Sequence, residues 1–347
     1  MERFTAIFIF AALLGFCAGC TAKSDSPSAP VTVSQPVTVL VTATRTPTHP
    51  AGSPTVTPTA TTAYPYPYSA AIGQSGSDGV NGDLSQPAGI AITKDGVLKV
   101  VSDVGSGNIQ VFNSNNVFLY EIDSSNDGAT ITAPNQPWGM AFDGGRNLYV
   151  ADYNNAEVDV YTVSAAGATW IGYYVGGGAI AGPQDVKFDN NGNLVVADTA
   201  SGHTYNIEVS NDGSDDAVLN TTQGDGGGLA PQGVAVDSLG DLYVSDQNNG
   251  YVFVYGPDYQ FRYAFNGTFG WPTVLGTPAG LQVDNEGKLI IADYGNHQVV
   301  RANLYGAFDE VVGQDQINTP DYLALDAVGN LYVTDFGLGQ LLKFTPQ

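Results

Sequence analysis

Cysteine is nearly absent: the 347-residue chain holds two, Cys17 and Cys20, both close to its start. Downstream of them there is no disulfide, no thiol nucleophile and no cysteine-based zinc site. Histidine is as scarce, with His49, His203 and His297 as the whole supply. Basic residues are few, 11 Lys and Arg against 34 Asp and Glu, for a net charge of −23. A surface this acidic repels a phosphate backbone, so nucleic acid is set aside as a partner. No apolar run reaches the ~20 residues of a bilayer-spanning helix, and no stretch carries the 3.6-residue period of an amphipathic helix. What the chain does have is 43 glycines and 43% hydrophobic residues, the composition of many turns around a sizeable core.

One apolar run, Phe4 to Phe16 with Arg3 before it, has the length of the apolar region of a secretory signal. It ends in Cys17-Ala18-Gly19-Cys20. This resembles the bacterial lipobox, in which small residues precede a cysteine that becomes lipidated, although Cys17 stands where an aliphatic residue is usual. The resemblance implies a signal peptide over 1–19, lipid attachment at Cys20, and a place on the bacterial cell envelope facing outward. If the lipobox is not used, ordinary cleavage gives a secreted protein, or the segment stays as an uncleaved anchor. Residues 20–67 are dominated by Pro, Thr, Ser, Ala and Val, as in Pro54-Thr55-Val56-Thr57-Pro58. Such a composition builds no core, and the expectation is a disordered stalk, with or without O-glycosylation. Extended at ~3.1 Å per residue, it would span on the order of 100 Å.

From residue 68 to 347 one pattern recurs: Pro-x-Gly, an apolar run, a Gly-containing turn, a second run ending in Asp, then a third run. The first copy passes from Pro87-Ala88-Gly89-Ile90 through Val101-Ser102-Asp103 to Ile109-Gln110-Val111-Phe112. Later copies open at Pro137, Pro183, Pro231, Pro278 and Pro320, spaced 50, 46, 48, 47 and 42 residues apart, and their second runs end at Asp152, Asp198, Asp246, Asp293 and Asp335. A fixed period of this size marks a repeat architecture. The runs are short and rich in Val, Ile, Tyr and Leu, which are strand signals. First runs such as Gly233-Val234-Ala235-Val236 are apolar on both faces, as a sheet squeezed between neighbours near an axis requires. Fourth strands are expected near Phe118, Ile171, Val218, Phe261 and Phe308. The sixth copy runs out at Gln347 without one, and Tyr68-Ser69-Ala70-Ala71-Ile72-Gly73 precedes the first copy. This segment is expected to complete the last blade and close the ring.

These residues resemble the NHL-repeat β-propellers, most clearly at Ala292-Asp293-Tyr294-Gly295-Asn296-His297-Gln298-Val299. There is no Trp-Asp dipeptide of the WD type, and the kelch double glycine occurs in a blade turn only at Gly144-Gly145. The expectation is an all-β, six-bladed propeller, monomeric, closed by an N-terminal strand. Copies three and six depart, with Asp185 and Tyr322 in place of the glycine.

In an up-and-down meander the Pro-x-Gly segments, the Asp-ended turns and the loops between copies share one face. The six repeated aspartates read as structural acceptors in their turns, because a residue present in every copy is explained by the blade. Residues that break the repeat are the candidate ligand-binding set: Trp138, Gln184, Asp185, Gln232, Asp321 and Tyr322 at the start of the first strands, with Tyr153 and Tyr294 after the turn aspartates. Copies three and six lie opposite each other in a ring of six, so Asp185 and Asp321 are expected to face across its mouth. An acidic, aromatic-containing mouth suits a sugar, a cationic peptide or an amine. The opposing reading is that Trp138 and the tyrosines plug the channel or cover the core. Lys187 and Gln282 interrupt the apolar first strands, as channel-lining groups or parts of a small network.

Two loops carry weak calcium signatures, at Asp123 with Asp127 and at Asp212 with Asp215, but neither has the closing glutamate of an EF-hand. Propeller enzymes that resemble NHL proteins hold zinc with inner-strand histidines or calcium near the channel. The domain histidines here lie in a variable loop and a turn, and no nucleophile elbow is present. The expected function is non-catalytic recognition of a protein, peptide or glycan without a cofactor. The alternative is a divergent calcium-dependent lyase or lactonase built on Asp185 and Asp321.

Overall fold

A computed structural model describes residues 66–75, 82–123, 133–175, 178–209, 215–216 and 229–346. Among them there is no α-helix, and the strands form six antiparallel four-stranded sheets and one short parallel pair, Gln74–Ser75 with Asp83–Leu84. Blade 1 comprises Pro87–Ile92, Leu98–Asp103, Asn108–Asn113 and Phe118–Ile122. Blade 2 comprises Pro137–Phe142, Asn147–Asp152, Glu157–Ser164 and Gly167–Tyr174. Blade 3 has Pro183–Phe188, Leu194–Asp198, His203–Val209 and a two-residue outer strand, Asp215–Asp216. Val218, about which that outer strand was expected, lies outside the described residues. Blade 4 has Pro231–Val236, Leu242–Asp246, Tyr251–Tyr255 and Phe261–Phe265. Blade 5 has Pro278–Val283, Lys288–Asp293, Gln298–Asn303 and Phe308–Val312. Blade 6 has Pro320–Leu325, Leu331–Asp335 and Gln340–Phe344, with Tyr68–Ile72 as its outer strand.

The six blades make a closed propeller. Each inner strand packs on the next, and the sixth packs on the first. The closing strand runs antiparallel to the third strand of blade 6, with Ala70 opposite Lys343, Ala71 opposite Leu342 and Ile72 opposite Leu341. Pro67 O accepts from Thr345 N, and Tyr66 is buried in the core between blades 5 and 6 beneath the Arg301 guanidinium. Six such apolar cores, one at each blade interface, hold the ring together.

The Pro-x-Gly pattern has a shared geometry. In every blade the proline sits opposite the turn aspartate, and the register then slips before pairing resumes, as from Pro87 to Ile90 and from Pro278 to Leu281. Proline opens the strand where no ladder donor is needed, and the bulge turns the following residues toward the next blade. Glycine is required there by contact. A Cβ on Gly89 would lie 2.0 Å from Trp138 O, and one on Gly233 would lie 2.3 Å from Ala279 O. Inner strands of neighbouring blades thus approach backbone to backbone around the axis.

Candidate functional site

All six turn aspartates are fully buried. Their carboxylates do more than cap their own turns, because each also accepts a backbone N–H from the loop that leads into the same blade. Asp103 accepts from Ser85 N and Gln86 N at 2.8 Å each, Asp198 from Ala181 N at 2.6 Å and Gly182 N at 3.0 Å, and Asp335 from Asn318 N at 2.6 Å and Thr319 N at 3.0 Å. Asp152, Asp246 and Asp293 accept in the same way from Asn135 N, Ala230 N and Gly276 N. Each carboxylate therefore staples turn to loop, and its lone pairs are spent inside the fold.

At the axis the two exceptional copies meet. Asp185 and Tyr322 occupy the positions that are glycine in the other four blades, and both are buried, as is Asp321. Asp185 Oδ1 accepts from Val186 N at 2.9 Å and faces Lys187 Nζ at 3.4 Å, while Oδ2 accepts from Val234 N of blade 4 at 3.0 Å. Asp321 Oδ1 accepts from Gln232 Nε2 at 2.9 Å, so blade 6 is bonded to blade 4 across the ring. Tyr322 also reaches across: its hydroxyl donates to Gln184 O of blade 3 at 2.6 Å, with Gln232 O at 3.4 Å. Burial, and then the neighbouring Asp185, push the Asp321 carboxyl up to about 8. Burial likewise raises Asp185, against the pull of Lys187. The acidic mouth read from the sequence is thus a sealed polar core in which burial favours the neutral form of Asp321.

The remaining candidates surround this core. Gln184 and Gln232 are nearly buried, and Gln184 Oε1 accepts from Thr199 Oγ1 at 2.7 Å and Gln247 Nε2 at 3.3 Å. Trp138 packs against the core between blades 2 and 3 and the one between blades 6 and 1, and its buried Nε1 has no hydrogen-bond partner among the described residues. Tyr153 and Tyr294 are half-buried and lean on the next blade, Tyr153 over Gly182 and Tyr294 against the core of blades 5 and 6. Val104, Thr199, Gln247 and Phe336 hold the equivalent position in the other four blades, all half-buried. Gln282 Nε2 donates to Val283 O at 2.9 Å, a local bond. Of the calcium candidates, Asp123 ends blade 1 and Asp215 opens the short outer strand of blade 3, while Asp127, Asp212 and the lipid-attachment candidate Cys20 lie outside the described residues.

Two features escaped the sequence reading. Ser102 Oγ accepts from Gly89 N at 2.7 Å and donates to Trp138 O at 2.8 Å, tying blade 1 to blade 2. Ser245 repeats this between blades 4 and 5, accepting from Gly233 N at 2.8 Å and donating to Ala279 O at 2.6 Å. A serine among small strand residues gives no sign of this; only the neighbour across the interface does. Second, Asp152, Glu157 and Asp159 bring one carboxylate oxygen each within 4.8 Å of one another. The signal was present as Glu157-Val158-Asp159 on a third strand opposite Asp152. Three carboxylates suit a hard cation. Asp159, however, is buried and accepts from Trp170 Nε1 at 3.2 Å, and burial pushes its carboxyl up to about 8, with Asp152 and Glu157 adding to the rise.

Comparison with known proteins agrees with this geometry. Residues 135–161, 230–255 and 275–301 match the NHL repeat. They fall in blades 2, 4 and 5. No curated protein matches the chain. Among solved structures, virginiamycin B lyase from Staphylococcus aureus is similar with a TM-score of 0.56 at 12% identity, over 80% of this chain and 88% of that one. The gluconolactonase XC5397 from Xanthomonas campestris gives 0.58 at 16% identity, over 81% and 99%. A protein of unknown function from Bacteroides thetaiotaomicron gives 0.61 at 15% identity, over 82% and 75%. At these identities the likeness is one of fold.

Proposed function

We propose that the protein is a non-catalytic recognition propeller tethered to the bacterial cell envelope, binding a protein, peptide or glycan on the face that carries its inter-blade loops. The observation that supports this reading is the state of the axis. Tyr322 spans it, and the oxygens of Asp185 and Asp321 accept bonds from the protein itself, so the acids that a channel enzyme would use are committed to holding the ring. The half-buried ring of Val104, Tyr153, Thr199, Gln247, Tyr294 and Phe336 is the part of that face where the blades differ, and differing side chains on a rigid frame are what selective recognition uses. The lipid on Cys20 would be its membrane attachment and the 20–67 segment its spacer, with the propeller acting as a monomer.

Immobilised propeller should retain a component of cell-surface extract, and Tyr153→Ala with Gln247→Ala should release it while a cooperative thermal transition shows the ring still folded. No retention, or retention that survives both changes, sinks the reading. Incorporation of labelled lipid into the full chain, lost in Cys20→Ala, tests the anchor separately.

A second reading, a calcium-dependent lyase or lactonase, draws on the solved structures of similar fold and on the Asp152, Glu157 and Asp159 group. A specific cation site raises the melting temperature by mass action. An unchanged melt in calcium and in chelator removes this reading.

A further inference from the structure

A groove of about 590 Å³ runs along the flank of blade 5. Two loops line it as banks, Pro272 and Thr273 before blade 5 and Asp315 with Ile317 after it, together with His297 and Gln298 of the turn within the blade. The outer strand Phe308–Val312 contributes Phe308, Glu310, Val311 and Val312 to the lining. Alternate residues of a strand point to opposite faces, so a groove confined to one face would meet every second residue. Here Glu310, Val311, Val312 and Gly313 line it in succession, which means that the groove takes in the edge of the strand itself. That edge pairs with Gln298–Asn303 on one side and, among the described residues, has no strand on the other. An open strand edge between two banks is the geometry that accepts an extended chain by backbone pairing.

The charge in the groove selects which chain. Arg301 is divided among four carboxylates: Asp284 and Glu286 at 2.7 Å, Asp309 at 3.2 Å and Glu310 at 3.5 Å. Glu310 holds the longest and weakest share, and Lys288 goes to Asp309 at 3.0 Å. Burial, only partly offset by Arg301 and reinforced by Asp309, pushes Glu310 up to about 7. Asp315 adds a second, exposed carboxylate on the bank. A cation placed here would supply the compensation that Arg301 spreads too thinly.

The walls are preset. The left-handed position of this turn is glycine in blades 1, 3, 4 and 6, at Gly107, Gly202, Gly250 and Gly339, whereas blade 5 carries His297 there at φ 55°. A side chain in that conformation is strained, and its Nδ1 bonds to Asn318 O, anchoring the loop that forms the second bank. In the other loop Thr273 Oγ1 accepts from Gln298 Nε2 at 3.2 Å. Fixed banks reduce the ordering cost of binding.

We propose that this groove docks an extended basic segment of a partner protein as a fifth strand of blade 5, with a lysine or arginine side chain set against Glu310 and Asp315. The proposal does not depend on the envelope reading, since it concerns the flank and not the loop-bearing face.

The test uses the propeller and short blocked peptides that alternate threonine and valine around a central lysine, arginine, alanine or glutamate, titrated at low salt. Lysine and arginine peptides should bind, and the glutamate peptide should not. Binding should slow amide exchange at residues 308–313, and Glu310→Gln should weaken it about tenfold, the worth of one charge-assisted contact. Should Glu310→Gln melt below the parent, Asp315→Asn supplies the charge test. Equal binding of the glutamate peptide, an unchanged affinity in both variants, or protection elsewhere overturns the proposal. Equal affinity for blocked lysine alone, without slowed exchange along the strand, overturns it in favour of a simple cation pocket.

Discussion

A carboxylic acid sealed beside another at the centre of a ring changes role. Asp321 keeps its proton in the folded protein up to about 8 and releases it on unfolding at any pH above the ordinary carboxylate range. The unfolded state therefore binds fewer protons across that window, and stability falls as pH rises through it. We expect Asp321→Asn, which keeps the acceptor for Gln232, to flatten the pH dependence of the denaturation midpoint between about pH 5 and pH 8. Asp159 and Glu310 carry the same sign and remain, so part of the slope persists. A variant as steep as the parent would show that Asp321 is ionised in the fold. Tyr322→Phe tests the other half of the core. Losing the donor to Gln184 O leaves a buried carbonyl short of a partner, and chemical denaturation should register a loss of about 1–3 kcal/mol.

At the scale of the strand, one short motif does three jobs. Proline begins the inner strand, the bulge redirects it, and glycine lets the next blade's backbone come into contact. Gly233→Ala places a Cβ 2.3 Å from a backbone oxygen that cannot rotate away, so a destabilisation of about 1–3 kcal/mol or more is expected in a denaturant melt. Gly144→Ala meets nothing within 4 Å and should stay within about 0.5 kcal/mol of the parent. Equal effects in the two would refute close approach as the reason for the glycine. The motif was legible because it repeats in register. The serine stitches at Ser102 and Ser245 were not, because a hydroxyl's partner lies on another blade and nothing in its own strand predicts it. The same holds for Asp185 and Asp321. Their departure from the repeat was visible, but their burial depends on Tyr322 crossing the axis.

For the molecule as a whole, the closing strand decides whether six sheets act as one. Its registry with Gln340–Phe344 joins the first and last strands of the propeller, and Tyr66 extends the clasp into the interface of blades 5 and 6. A chain that begins after Gly73 should lose the sharp thermal transition seen for one that begins before Tyr66, because Phe344 and Leu342 lose their cover. Matching melts by circular dichroism would show that the clasp is dispensable. The six blades also repeat in threes. Blades 1 and 4 carry the stitching serines, blades 2 and 5 have Ala151 and Ala292 there, and blades 3 and 6 bear the two glycine replacements that meet at the axis.

Period, strand order and ring closure were determined by the sequence alone, since each rests on local spacing, turn chemistry and a strand count that has to balance. Whether a given polar side chain faces water or protein was decided only by the tertiary structure. The charge state of Asp321, the pairing of Arg301 with four acids and the groove beside blade 5 all arise where distant segments converge, and desolvation there is set by neighbours that no single stretch of chain contains.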